Sequence, residues 1–261
     1  ILATLLSEKF NVNKTIANNN NHIGVPLTVL STNEKHNVLV AELGTNHFGE
    51  IPYTSAIVGP DLGLITNIGD SHLEYLKNRK GVFTEKVALL HETINRGGKV
   101  FINNDDKFLK EFGKKLKNKI TFAINEKADY KVTIKGYDKL ARPQIEIKTK
   151  KNVFETTLPI SGEKNVLNFT AAYAIASEVG LITSQMQKAV KKIKSYNKRL
   201  EIINLKKFTL INDTYNANPD SMKSSLDILD RIESRKKKIA VLGDMFELGV
   251  ESKLKHLELA N

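Results

Sequence analysis

The sequence predicts an α/β protein: a mostly parallel sheet with helices and a small antiparallel β-rich part, followed by the start of a second, doubly wound unit. Three observations carry this expectation. Apolar runs of strand length alternate with stretches of helical period in the first hundred residues. Residues 118–160 change to short alternating runs, ITFAI, YKVTI, QIEIKT and VFETTLPI, which suit an antiparallel insertion or sheet edge. Beyond residue 200 a fresh strand–helix–strand pattern begins, the unit from which right-handed parallel sheets are built.

Taken in order, residues 1–10 read as helix. His36 to Leu43 is a strand with an apolar centre of Val38, Leu39, Val40 and Ala41, and Leu62 to Ile68 is another. Phe83 to Ile94 is a helix that lines up Val87, Leu90 and Ile94 on one face. Gly98 to Ile102 is a strand, closed by the turn Asn103-Asn104-Asp105-Asp106. Asn165 to Val179 is a helix with an alanine-rich face, and Ser184 to Ile193 is the next. KSYNKRL at 194–200 reads as a linker, which divides the chain into units 1–196 and 197–261. The second unit starts with strand Phe208 to Asn212, helix Asp220 to Ile232 and strand Lys238 to Leu242, and the sequence stops inside a further helix. Two strands do not complete a doubly wound domain. Ile1 to Leu6 has no initiator methionine and resembles the middle of an amphipathic helix, so a fragment is expected.

Composition narrows the function classes. Cysteine is absent, which excludes a disulfide framework and any thiolate nucleophile or metal ligand. No apolar run is long enough to span a bilayer, and the start lacks signal-peptide features, so a cytoplasmic protein is expected. Net charge is +11, from 40 basic and 29 acidic residues. The lysines lie in helical runs, Lys107 to Lys119, Lys188 to Lys198 and Arg235 to Lys238, without interleaved aromatics. Solvated helix faces explain them better than a nucleic-acid surface, with mild attraction for anionic substrates as a second effect.

Four segments carry polar residues suited to a site, three of them after strands, where parallel α/β proteins place ligands. In AELGTNHFGEI, Glu42 ends a strand before a glycine turn, where a carboxylate either holds a hard cation or caps the turn. In TNIGDSHLE, His72 is a metal ligand, a general base or a structural histidine. Lys86, in TEKVALL, reads as a solvated helix lysine. In LINDTYNANPDSM, Asp213 ends a buried strand, and Asp220 or Ser221 caps the next helix. Capping leaves Asp213, Tyr215, Asn216 and Asn218 unexplained, which makes this the most specific segment.

These segments, in this order, resemble the Mur ligases of bacterial peptidoglycan synthesis. ELGTNHFGEI, TYNANPDSM and VLGDMFELG (Val241 to Gly249), with the asparagine-rich NNNNHIGVPLT at 18–28, are similar to the branch that adds D-alanyl-D-alanine. The resemblance covers nearly the whole chain. It implies a central ATP-binding domain followed by the start of a Rossmann-like C-terminal domain. The implied reaction joins D-alanyl-D-alanine to a UDP-N-acetylmuramoyl-tripeptide through an acyl phosphate, with ATP and Mg²⁺ as cofactors, in a monomeric enzyme. Glu42 and His72 match the family's metal-binding acid and histidine, and Lys86 the lysine that many members carry as a carbamate. Asn165 and Asn168 match the adenine-facing asparagines, for which helix-start capping is the competing explanation. Histidine is more usual in the family than Lys164, and glycine more usual than Lys198. Arg199 matches a phosphate-binding arginine at the domain junction, and Asp213 the acid that binds the ribose. Tyr215, Asn216 and Asn218 are expected to line the nucleotide or dipeptide side of the cleft. The family's glycine-rich phosphate loop has no counterpart, since no G-x-x-G-K-[ST] sequence occurs. These residues alone are therefore expected to be inactive. Other Mur-type or folylpolyglutamate-type ligases, or a non-catalytic remnant of the fold, are the alternative readings.

Overall fold

The computed structural model describes residues 1–70, 72–195, 198–234, 237–246, 248 and 252–260. In chain order the elements are α1 (Leu2–Leu6), β1 (Val12–Lys14), α2 (Gly24–Leu30), β2 (Val38–Val40), α3 (Glu50–Val58), β3 (Leu62–Ile65), α4 (Leu73–Leu76), α5 (Arg79–Asn95), β4 (Lys99–Asn103) and α6 (Lys107–Lys114). There follow β5 (Lys119–Ala123), β6 (Tyr130–Tyr137), β7 (Pro143–Lys148), β8 (Val153–Thr157), α7 (Glu163–Glu178), α8 (Thr183–Val190), β9 (Glu201–Asn204), β10 (Thr209–Asn212), α9 (Pro219–Arg231) and α10 (Ser252–Ala260).

β3 to β8 lie side by side in chain order. The pairs from β3 through β6 are parallel, and β6, β7 and β8 are antiparallel. The antiparallel part begins one strand later than the change of pattern at residue 118 suggests: β5, the ITFAI run, is parallel to both its neighbours. β1 and β2 form a separate parallel pair. One core packs α1, α7 and α8 on β4 to β8, with Phe101, Phe122, Phe154 and Phe169 fully buried. A second core packs α5 and α6 on the other face through Val82, Leu90, Val100, Ile102 and Leu109. Each such side chain contributes about 1.5–3 kcal/mol by leaving water. Helices thus cover both faces, as a largely parallel sheet requires.

Three expectations are corrected. The helix at residues 1–10 closes at Leu6 in a turn over residues 7–9. The lysine runs are not uniformly helical faces: α6 stops at Lys114 and α8 at Val190, while Lys119 stands in β5. Several of these lysines are engaged, Lys110 with Glu126 and Lys188 and Lys192 with Glu8. The second unit does not open as strand–helix–strand. β9 and β10 form an antiparallel hairpin, α9 follows, and residues 237–246 form neither helix nor strand and pair with no strand among the described residues. A strand exists only where an edge takes up its backbone groups. Lacking one, Ile239, Val241, Leu242 and Phe246 stand exposed at 68%, 93%, 51% and 80%.

The proposed boundary residues Tyr196 and Asn197 lie outside the described residues, as do Ser71, Arg235, and Glu247 and Gly249 of the VLGDMFELG motif.

Candidate functional site

The site begins where β2 ends. The Glu42 N–H donates to Thr15 Oγ1 at 2.9 Å, and the Glu42 carboxylate accepts from Asn20 Nδ2 at 2.9 Å. Gly44 N–H donates to the Asn20 carbonyl at 2.7 Å. A Cβ on Gly44 would sit 2.6 Å from the Asn20 side chain, so only glycine lets the asparagine-rich turn dock this closely. The role of Asn20 is therefore to orient Glu42.

Lys86 reaches toward this carboxylate from α5. Burial pulls its pKa below the usual 10.5, and the Glu42 charge opposes that pull without reversing it. Lys86 is thus not the solvated lysine that composition suggests. A buried amine with a depressed pKa has more of the neutral form that reacts with electrophiles.

His72 is placed by other anchors. It is the left-handed N-cap of α4, with φ 53°, and its carbonyl accepts from the Tyr75 and Leu76 amides. The loop before it is held by Asn103 Nδ2 on the Thr66 carbonyl at 2.8 Å and by Asp106 Oδ2 on the Ile68 N–H at 2.7 Å. Arg79 grips Asp70 with two hydrogen bonds, 2.9 and 2.6 Å. The turn 103–106, which sequence alone marks only as a strand end, is what fixes this loop.

Among the described residues no three His, Cys, Asp or Glu side chains form a ready metal cage. Mg²⁺ is commonly held by one or two carboxylates together with substrate phosphates. A lone, oriented Glu42 carboxylate beside Lys86 fits an ion of that kind, arriving with a nucleotide.

The remaining expected residues collect at the junction with the second unit. α7 starts at Gly162, whose φ is 97°, with no side-chain cap. Neither asparagine caps this helix: Asn165 Nδ2 donates backwards to the Ser161 carbonyl at 2.7 Å, and Asn168 is half-buried one turn on. A Cβ on Gly162 would come within 3.3–3.8 Å of Ile228, Leu200 and Ser224, so α7 starts against the linker and α9. Arg199 lies over the Tyr215 ring, 4.1 Å from its centroid, and Tyr215 N–H donates to the Lys198 carbonyl. Asp213 accepts from the Leu200 N–H at 3.0 Å through one oxygen and from the Ser225 hydroxyl through the other. Asn216 accepts from the Ala217 N–H next to it. Asn218 caps α9, accepting from the Ser221 N–H while the Ser221 hydroxyl accepts from the Asn218 N–H. The cap is thus Asn218 in a reciprocal pair with Ser221, and its side chain is committed to the helix rather than to a cleft.

The structure therefore brings Glu42 and Lys86 together at one place and Arg199, Asp213 and Tyr215 at another. Glu85, 3% exposed, was not foreseen as part of the site. Its signal was its position: Val82, Glu85, Leu90 and Thr93 fall on the inward face of α5, where a carboxylate needs a buried partner.

The fold is a largely parallel α/β sheet with polar loops after its strands, joined to a second α/β unit, and the sequence comparisons give its class. The family model for the Mur ligase middle domain matches residues 1–176, and that for the Mur ligase glutamate ligase domain matches residues 198–261. The chain belongs to the Mur ligase family. It is 33% identical over 250 residues to the UDP-N-acetylmuramoyl-tripeptide–D-alanyl-D-alanine ligase of Bacillus subtilis, covering 95% of this chain and 53% of that protein. With the ligase of the same name from Haemophilus influenzae it shares 36% over 252 residues, 94% and 53% of the two chains. A crystal structure of MurF from Acinetobacter baumannii superposes with a TM-score of 0.90 at 32% identity, covering 99% of this chain and 56% of that one. MurF from Thermotoga maritima in complex with ADP gives 0.88 at 26% identity, covering 99% and 59%. The chain spans about half the length of the curated relatives it matches.

Proposed function

We propose that the protein acts as an ATP-dependent amide-bond ligase that adds D-alanyl-D-alanine to UDP-N-acetylmuramoyl-tripeptide in peptidoglycan precursor synthesis. The observation that carries this reading is the pairing of Glu42, just after β2 in the ELGTNHFGEI segment, with Lys86 of α5. The names of the relatives at 33% and 36% identity support it. ATP would supply the phosphoryl group that activates the tripeptide carboxylate as an acyl phosphate, and Mg²⁺ would offset the charge of the approaching anions.

The chain's own residues have distinct roles in this reading. Glu42 and His72 would hold the metal. Lys86, as a carbamate, would add a third ligand and the second negative charge, and its depressed pKa favours the neutral amine that carbamate formation needs. Arg199 faces phosphate, with its guanidinium braced on Tyr215. Asn165 and Asn168 face the base. Asp213 exchanges its Ser225 hydroxyl for those of the ribose, and Asn216 lines the same side. The division of the chain at 196/197 belongs to the same reading and is supported by the family matches that end at 176 and start at 198. So do monomeric action and a cytoplasmic location. No described helix is long and apolar enough to cross a membrane.

The test is phosphate release by the enzyme expressed from its whole reading frame. Release that requires both D-alanyl-D-alanine and the UDP-linked tripeptide is the expected result. Release with another amine instead would point to a different Mur-type or folylpolyglutamate-type ligase. Lys86→Ala should lose at least about a hundredfold in kcat, the upper end of what losing a group that merely orients a metal ligand costs, and formate should restore part of it. Failure of both formate and acetate to restore any activity would refute the carbamate.

A further inference from the structure

We propose that Glu85 is a positioning residue: its buried carboxylate fixes the loop from Glu42 to Ile51 against the helix that carries Lys86, and so sets how Glu42 meets Lys86. The inference rests on the ligase reading and deepens it by naming the group that builds its metal-binding edge.

The loop has few means of holding itself. α3 starts at Gly49, a left-handed N-cap (φ 94°) with no side chain to receive the first amides. Glu85 performs that task from another helix. Its Oε2 accepts from the Gly49 N–H at 2.8 Å and its Oε1 from the Ile51 N–H at 2.7 Å. Thr45 Oγ1, on a buried residue, stands 3.5 Å from Oε1. Glu50 takes the amides that Glu85 does not, Asn46 at 2.6 Å and His47 at 2.9 Å. Two carboxylates thus receive four amides of one short loop, and the positive end of α3 faces both. Glu50 belongs to the same segment as the loop and fixes only its shape. Glu85 belongs to α5, one residue before Lys86, and fixes the loop's place relative to that lysine.

The stretch Glu42 to Gly44 is therefore held at both ends. On one side stand Thr15 and Asn20, which bind Glu42 and Gly44 directly. On the other stand Gly49 and Ile51, bonded to Glu85, with the Thr45 hydroxyl nearer to the His47 carbonyl and Glu50, at 2.9 and 3.2 Å, than to Glu85. Removing the second anchor leaves Glu42 tied to the asparagine-rich turn but not to α5.

Glu85→Gln tests this. Its amide turns one acceptor into a donor, which then meets an N–H head-on at Gly49 or Ile51. Amide hydrogen exchange on the whole chain should quicken about tenfold or more at Gly49 or Ile51. The decisive amides are those of Glu42 and Gly44, which must quicken too. Acceleration confined to residues 49–51, or none, would overturn the proposal and leave Glu85 a local cap. In the enzyme from its whole reading frame, the Mg²⁺ concentration for half-maximal phosphate release should rise about tenfold, as for other groups that orient a metal ligand. KM for D-alanyl-D-alanine should stay within about twofold. A loss of kcat at unchanged Mg²⁺ half-saturation is what a merely structural residue would give, and it too overturns the proposal. If the wild-type enzyme releases no phosphate with D-alanyl-D-alanine, the ligase reading has failed, and the exchange at Glu42 and Gly44 alone decides the role of Glu85. Should the glutamine variant not fold, Glu85→Asp, one methylene too short to reach both amides, is read by the same measurements.

Discussion

At the residue scale, the linker shows how a sequence departure is absorbed. Lys198 and Leu200 both adopt left-handed backbone, with φ of 60° and 48°. Such a conformation costs a non-glycine residue roughly 1–2 kcal/mol. The structure meets that cost with bonds on either side: Lys198 N–H donates to Glu201, its carbonyl accepts from Tyr215, and Leu200 N–H donates to Asp213. The effect is to present Arg199, between the two strained residues, to the Tyr215 ring. Glycine at 198 would remove the strain but add chain entropy to the unfolded state, about 0.5–1 kcal/mol. Lys198→Gly is therefore expected to stabilise the fold by up to about 1 kcal/mol, seen as a higher urea midpoint. A lower midpoint would show that the lysine stem packs more than its backbone strains.

At the element scale, two helix ends depend on carboxylates. Asp106 caps α6 by accepting from the Leu109 N–H at 3.0 Å, and its other oxygen holds Ile68 in the loop before His72. Asp106→Ala should cost about 1–2 kcal/mol for the cap alone. It should also release the His72 loop, so proteolysis between residues 66 and 72 is expected to quicken beyond the loss of stability. Glu8 ties the end of α1 to α8: the Lys192 ammonium, then Lys188, hold its carboxyl below the usual 4.5 against the upward push of burial. A depressed carboxyl contributes its stability above the unfolded value and loses it as pH falls through the folded one. The gap in thermal midpoint between wild type and Glu8→Gln should therefore be full at pH 7 and close below pH 4.5. A gap that does not narrow as pH falls below 4.5 would mean that the clamp works through packing rather than charge.

These elements also show what was legible in the sequence. Strands β3 to β8 and helices α5 and α7 announced themselves through period and length, because each buries apolar side chains against neighbours in the core. Glu42 and Lys86 were found by motif alone, since nothing in the composition of α5 distinguishes a half-buried lysine from a solvated one. Glu85, Asn103 and Asp106 escaped notice because their partners are backbone amides and carbonyls distant in sequence, and backbone groups leave no trace in residue type. Asn218 escaped for the opposite reason. Its function is local, and a polar cluster that resembles a binding loop concealed an ordinary helix cap. The missing strand at 238–242 marks a further limit: apolar alternation reports a wish for an edge, not whether an edge is there.

At the scale of the whole molecule, that unpartnered tract and the excess of lysine act against one another. A charge of +11 spread over the surface keeps copies apart in dilute buffer. The screening distance shrinks from about 30 Å at 0.01 M salt to about 8 Å at 0.15 M, while the attraction between exposed apolar backbones does not weaken. Added salt should therefore make the isolated chain stickier, opposite to a protein held together by surface ion pairs. Light scattering is expected to report single particles in low salt and growing ones as salt is raised. Ile239→Lys combined with Val241→Lys should hold the particle size constant. The open tract in the second unit thereby sets the colloidal behaviour of the chain, and buffer strength becomes the variable that decides whether it is handled as a solution or a suspension.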